Sequence, residues 1–130
     1  VLSVDAIDHV VVTGDRDRML QLLLILVDNA AKYTPAGGQL HIALRRVADG
    51  GRTAAALSVR DSGVGIAPED LPYVFDRFFR SDRARAREPG GSGLGLGIAQ
   101  WIVEQHRGTI TVDSTLGVGT TVRILLPAVE

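Results

Sequence analysis

In the stretch Leu57-Ser-Val-Arg-Asp-Ser-Gly-Val-Gly65, an alternating strand runs straight into a turn without side-chain bulk. Side chains alternate with period two along a strand, so Leu57, Val59 and Asp61 share one face. The carboxylate therefore points the way the core residues point. An Asp before Gly also commonly accepts from its own turn, here through Ser62-Gly63. Upstream, Gln39 to Val47 alternates with Leu40, Ile42 and Leu44 on one face. The turn Ala48-Asp-Gly-Gly51 then joins it to Thr53 to Arg60 as a hairpin.

Further out, Val10 to Thr13 reads as a short strand, and Gly14-Asp15 offers an N-cap. A helix is predicted from Arg16 to Tyr33, stopped by Thr34-Pro35 and Gly37-Gly38. Its middle, Leu20 to Val27, is apolar on nearly every face, which predicts deep burial. Pro68 opens a short helical stretch through Phe79. A second long helix is predicted over Leu94 to His106, with Ile98, Ile102 and Val103 at helical spacing. Thr109 to Ser114 and Thr120 to Leu126 close the chain as a hairpin across Leu116-Gly-Val-Gly119. Elements in this mixed order predict an α/β fold, a sheet with helices covering one face.

The 130 residues suit one domain with a normal core, and 45% hydrophobic with 22% charged residues is ordinary for a globular chain. A net charge of -1 gives no electrostatic case for nucleic acid or an anionic membrane surface. The chain has no cysteine, hence no disulfide framework and no thiolate metal site. Its longest apolar run, Leu22 to Val27, is far below the ~20 residues of a membrane helix. It begins in strand-like sequence without an initiator Met, as a domain excised from a longer chain would. Thirteen of the fourteen basic residues are Arg, and the one lysine is Lys32.

Gly91-Ser-Gly-Leu-Gly-Leu-Gly97 is a second glycine element, a run of bare N–H groups opening into the second long helix. Unpaired N–H groups and the helix dipole both favour an anion there. The run lacks the Lys-Ser/Thr ending of a P-loop. Asn29, Lys32 and Tyr33 lie at i, i+3 and i+4 and share a helix face. An amide oxygen suits Mg²⁺, a lysine suits a phosphate, and a tyrosine ring packs on a purine. A carboxylate at Asp61 accepts from an exocyclic amine and repels a carbonyl, so it prefers adenine to guanine. Together these residues read as a nucleotide pocket.

Five motifs occur in order: Asp28-Asn-Ala-Ala-Lys-Tyr-Thr34, Asp61-Ser-Gly-Val-Gly65, Phe75-Asp-Arg-Phe-Phe-Arg80, Gly91-Ser-Gly-Leu-Gly-Leu-Gly97 and Gly117-Val-Gly-Thr120. They resemble the N, G1, F and G2 boxes and the last glycine turn of the catalytic ATP-binding domain of sensor histidine kinases. That family belongs to the group holding the Hsp90, gyrase B and MutL ATPase domains. The resemblance covers essentially the whole chain, one domain over residues 1–130. It implies a two-layer α/β sandwich (the Bergerat fold), with a mixed, mostly antiparallel sheet and helices packed on one face.

The resemblance further implies that ATP and Mg²⁺ are bound, with Asn29 on the metal and Lys32 on the phosphates. Tyr33 borders the adenine, Asp61 accepts from its amine, and Thr120 supports Asp61 or a bridging water. Gly63, Gly65, Gly91, Ser92, Gly93, Leu94, Gly95 and Leu96 complete the nucleotide site. Phe75, Phe78 and Phe79 anchor a lid over about residues 80–92. Arg77 and Arg80 join Lys32 as candidates for catalytic contact with phosphate or partner. The γ-phosphoryl group would pass to a histidine on a separate dimerisation domain and then to a response regulator. The domain itself is expected to be a cytoplasmic monomer without membrane contact, its parent kinase being one that an inner membrane can anchor.

One position departs from the family pattern. A second asparagine usually stands one turn before Asn29, and here that position is Ile25. In the related ATPases it holds a water-activating glutamate. Isoleucine has no lone pair for either task, which argues against efficient hydrolysis. An ATP-driven clamp of the gyrase B, MutL or Hsp90 type and an anti-sigma-type serine kinase remain as alternatives. Of the three histidines, His9 and His41 lack the acceptor's setting, and His106 sits at a helix C-terminus, where its role is structural.

Overall fold

The computed structural model describes residues 2–35, 37–75 and 95–129. Among these, five strands form one sheet: β1 (Leu2–Ile7), β2 (Leu40–Asp49), β3 (Arg52–Asp61), β4 (Thr109–Thr115) and β5 (Gly119–Pro127). The order is β1-β2-β3-β5-β4, with β1 parallel to β2 and every other pairing antiparallel. Two helices, α1 (Arg16–Tyr33) and α2 (Gly95–Gln105), pack together on one face. This is the mixed α/β sandwich expected.

The core lies between the layers. Leu22, Leu26 and Ala30 of α1 meet Ala99, Ile102 and Val103 of α2 over Ala55 and Val59 of β3 and Val122, Ile124 and Leu126 of β5. Each fully buried Leu or Ile contributes about 1.5–3 kcal/mol relative to exposure. The helix start follows its expected chemistry: the Asp15 carboxylate accepts from Asp17 N–H at 2.9 Å and Arg18 N–H at 3.2 Å. His106 then joins the two helices. Its Nε2 accepts from Asp15 N–H at 3.1 Å, while its Nδ1 is 2.8 Å from the Ile102 carbonyl. That carbonyl requires a proton on Nδ1, so the neutral tautomer fits both bonds.

Three expectations are corrected. Val10 to Thr13 is not a strand; the N-terminal strand is Leu2–Ile7. Asp8 ends its pairing with β2, donating its N–H to Leu44 and accepting Arg46 N–H on its carboxylate, where a ladder carbonyl would otherwise sit. Val10 and Val12 still pack on the core, but without a ladder. The apolar middle of α1 is also not buried all round. Leu22 and Leu26 are enclosed, whereas Leu20 (56% exposed) and Leu24 (59%) form a stripe on the opposite side. Finally, the described part of Pro68 to Phe79 is a turn followed by a 3₁₀ segment, Leu71–Tyr73. Pro72 has no N–H to give to the carbonyl four residues back, so an α-helix cannot propagate through it. Phe78 and Phe79 lie outside the described residues.

Candidate nucleotide site

The register across the sheet places Leu40, Asp61, Thr120 and Ser114 side by side at one end of β2, β3, β5 and β4. Thr120 and Ser114 continue the alternations Val122–Ile124 and Val112–Ile110, so both face the helix side with Asp61. Asp61 is 8% exposed and is the one buried charged residue among the described residues. Its Oδ1 accepts from Gly63 N–H at 2.8 Å and from Thr120 N–H at 3.3 Å. The turn-capping role and the binding role are thus compatible, because Oδ2 makes no hydrogen bond among the described residues. Burial pushes the Asp61 carboxyl above its usual 3.8, and the N–H groups of Gly63 and Thr120 offset part of that rise.

The loop after Asp61 is locked onto the β4–β5 turn. Gly117 N–H donates to Val64 O at 2.8 Å, and Ile66 N–H donates to Ser114 Oγ at 2.7 Å. Gly65 has φ +73°, and a Cβ there would lie 2.2 Å from the Thr115 carbonyl oxygen. A Cβ on Gly119, at φ +151°, would lie 2.0 Å from Asp61 O. Both positions therefore exclude any side chain. Gly63 uses its N–H on Asp61, so its structural task is fixed before any ligand arrives. Ser62 ties the loop to the head of β2, its Oγ accepting from Gln39 N–H at 2.8 Å.

The other wall is built from the helices. A Cβ on Gly95, the first residue of α2, would be 3.3 Å from Asn29 Oδ1 and 3.4 Å from Ile25 Cγ2. Asn29 thus reaches the N-terminus of α2, with Ile25 beside it. Lys32 stands one turn on, its Nζ 3.2 Å from Asp28 Oδ2, with a side chain 39% exposed. Leu96 packs against the core. The side chain of Tyr33 and all of Arg77, Arg80, Gly91, Ser92, Gly93, Leu94 and the expected lid lie outside the described residues.

These residues fit a purine nucleotide: a carboxylate oxygen with no partner among the described residues at the base end, and at the other an amide oxygen beside a helix N-terminus with an ammonium one turn further along α1. They offer Mg²⁺ the Asn29 oxygen alone, and Ile25 adds nothing. Among the described residues no cluster of three or more His, Cys, Asp or Glu side chains forms a metal site, and no helix is long and apolar enough to cross a membrane. Sequence reasoning missed Ser114. Its signal was available, since it ends the core-facing alternation Ile110–Val112 with a polar residue, as Asp61 does on β3.

The fold and the site together define an α/β sandwich of the kind that carries the ATP site of sensor histidine kinases. Comparison with known proteins agrees. The family described as histidine kinase-, DNA gyrase B-, and HSP90-like ATPase matches residues 14–130. The sensor protein SrrB of Staphylococcus aureus (strain MRSA252) is 48% identical over 118 residues, covering 91% of this chain and 20% of that protein. The mycobacterial sensor histidine kinase MprB superposes with a TM-score of 0.85 at 36% identity, over 98% of this chain and 84% of that one. A full-length ShkA in complex with AMPPNP gives 0.79 at 27% identity, over 99% of this chain and 26% of that one. The chain belongs to the histidine kinase-, DNA gyrase B- and HSP90-like ATPase family. It spans about a fifth of the length of its SrrB relatives.

Proposed function

We propose that this domain binds Mg-ATP and donates the γ-phosphoryl group to a histidine on a separate dimerisation domain, from which a response-regulator aspartate receives it. The observation that carries the reading is the buried Asp61, held by two backbone N–H groups with its second oxygen left for an adenine amine. Asn29, beside the start of α2, and Lys32, one turn on, serve the phosphate end. Mg²⁺, when bound, neutralises phosphate charge, with Asn29 as its ligand from this chain.

In the transfer, an imidazole nitrogen of the partner forms the new P–N bond and the bond from the γ-phosphorus to the bridging oxygen breaks. ADP leaves with that oxygen's electron pair. Catalysis by this chain is positioning and charge neutralisation, for which Lys32, Arg77 and Arg80 are the candidate cations. Ile25 lies where a water-activating carboxylate would stand in a hydrolase, so slow hydrolysis by the isolated domain is expected.

The test mixes the domain with γ-labelled ATP and a fragment carrying an acceptor histidine. Acid-labile, alkali-stable label on that fragment supports the reading. Acid-stable label would point to a serine kinase, and rapid phosphate release without any acceptor would point to a clamp ATPase.

A further inference from the structure

The Ser114 hydroxyl sits at the centre of three contacts: Ile66 N–H at 2.7 Å, the Gly119 carbonyl at 3.0 Å and Thr120 Oγ1 at 2.8 Å. A serine hydroxyl has one hydrogen and two acceptor lone pairs. The Ile66 N–H can only donate, so it occupies one lone pair. The Gly119 carbonyl can only accept, so it takes the single hydrogen. The remaining lone pair faces Thr120, which must therefore donate its own hydroxyl hydrogen to Ser114.

That count leaves Thr120 Oγ1 with lone pairs and no hydrogen for any other group. Its neighbour across the strand pair, Asp61, likewise offers only an acceptor in its ionised form. We infer that Ser114 is a positioning residue that sets the purine preference of the site, by holding the Thr120 hydroxyl in the acceptor sense beside the Asp61 carboxylate. The two acceptors together welcome an amine edge, or a water ordered by one, and turn away a carbonyl edge.

The inference rests on the proposed reading of Asp61 as the base-recognising group. Ser114 need not touch the ligand. Its removal frees the Thr120 hydrogen to swing toward a carbonyl, which softens the rejection without removing a ligand contact.

The experiment measures binding of ATP and of inosine triphosphate, which carries a carbonyl in place of the purine amine, to the intact domain and five variants. Ser114→Ala is expected to lower the ATP-to-ITP affinity ratio by ~5–10-fold while ATP affinity itself changes by less than ~3-fold, in keeping with the worth of one misdirected polar contact. Ser114→Thr restores the hydroxyl and the ratio. Thr120→Val lowers the ratio, and adding Ser114→Ala to it changes the ratio no further. Equal weakening of both nucleotides by Ser114→Ala, with the ratio intact, would overturn the inference and leave Ser114 a loop anchor. If Asp61→Asn leaves ATP affinity untouched, the base-end reading fails and this inference falls with it. Loss of ATP affinity in Asp61→Asn, with an unmoved ratio in Ser114→Ala, removes the inference alone.

Discussion

The two ends of the proposed nucleotide site are built on different principles. At the base end, Asp61 is buried on a sheet, and its Oδ1 is held by backbone groups of two separate segments, Gly63 and Thr120. At the phosphate end, Lys32 projects from the last turn of α1, is 39% exposed, and leans on Asp28 one turn back. The first arrangement holds its geometry before the ligand arrives and avoids the entropy of ordering on binding. The second supplies charge from a flexible stem, which tolerates a phosphate chain adopting more than one pose. Selectivity is therefore expected from the base end, and salt-sensitive affinity from the phosphate end.

The largest effect expected follows from Asp61→Asn. The amide can still accept from Gly63 and Thr120, but the charged acceptor for the amine is gone. ATP affinity should fall by about 2–3 kcal/mol, measured by calorimetric titration. An unchanged affinity would erase the distinction between the two ends.

Acidity probes the same contact by a graded route. Because the Asp61 carboxyl is raised in the folded domain, ATP affinity should decline on acidification at a pH above the 3.8 of an ordinary aspartate. Stability of the unliganded domain has the opposite sign. The folded state holds the proton more tightly than the unfolded chain, so Asp61's contribution is greatest below 3.8 and is lost as pH rises through the raised value. Chemical denaturation across that window should show this slope in the parent and a flatter one in Asp61→Asn.

At the phosphate end the effects are expected to be smaller. Lys32→Ala should weaken ATP by roughly 3–10-fold at low salt and by less at high salt, because exposed charges are screened. Adenosine should bind Lys32→Ala and the parent equally. A loss shared by adenosine would mean that the two ends are not separable. The smallest effect belongs to Ile25→Asn, which places an amide oxygen one turn from Asn29. The expected outcome is a modest rise in the Mg²⁺ dependence of ATP binding, about 2–3-fold, seen by titration with and without the metal.

How much of this was legible in the sequence depends on whether the signal was local. The hairpin β2–β3, the Asp15 cap and the Asp61–Gly65 turn are written in neighbouring residues, and their boundaries came out nearly as read. The strand-like start of the chain is β1, a bulged edge strand, whereas Val10–Thr13 has the same apolar signal but no ladder, because the pairing with β2 ends at Asp8. The exposure of Leu20 and Leu24 was hidden for another reason. A helix with leucines on every side gives no sign of which side meets the sheet. Ser114 was missed because its role arises from cross-strand register, which brings together β3, β5 and β4 from distant parts of the chain. Residue types marked the candidate site, while pairing across the sheet assigned the supporting cast.

The His106 bridge has a mechanical consequence. It ties the start of α1 to the end of α2, at the opposite end of the helix pair from Asn29 and Gly95. Between Asp15 and Asn29 the helix rises about 21 Å, at ~1.5 Å per residue. Over that length one degree of tilt about Asp15 would displace Asn29 by roughly 0.4 Å. Leu22, Leu26 and Ala30, buried along the same helix, oppose such a tilt, so the histidine tie and the core together hold Asn29 in place.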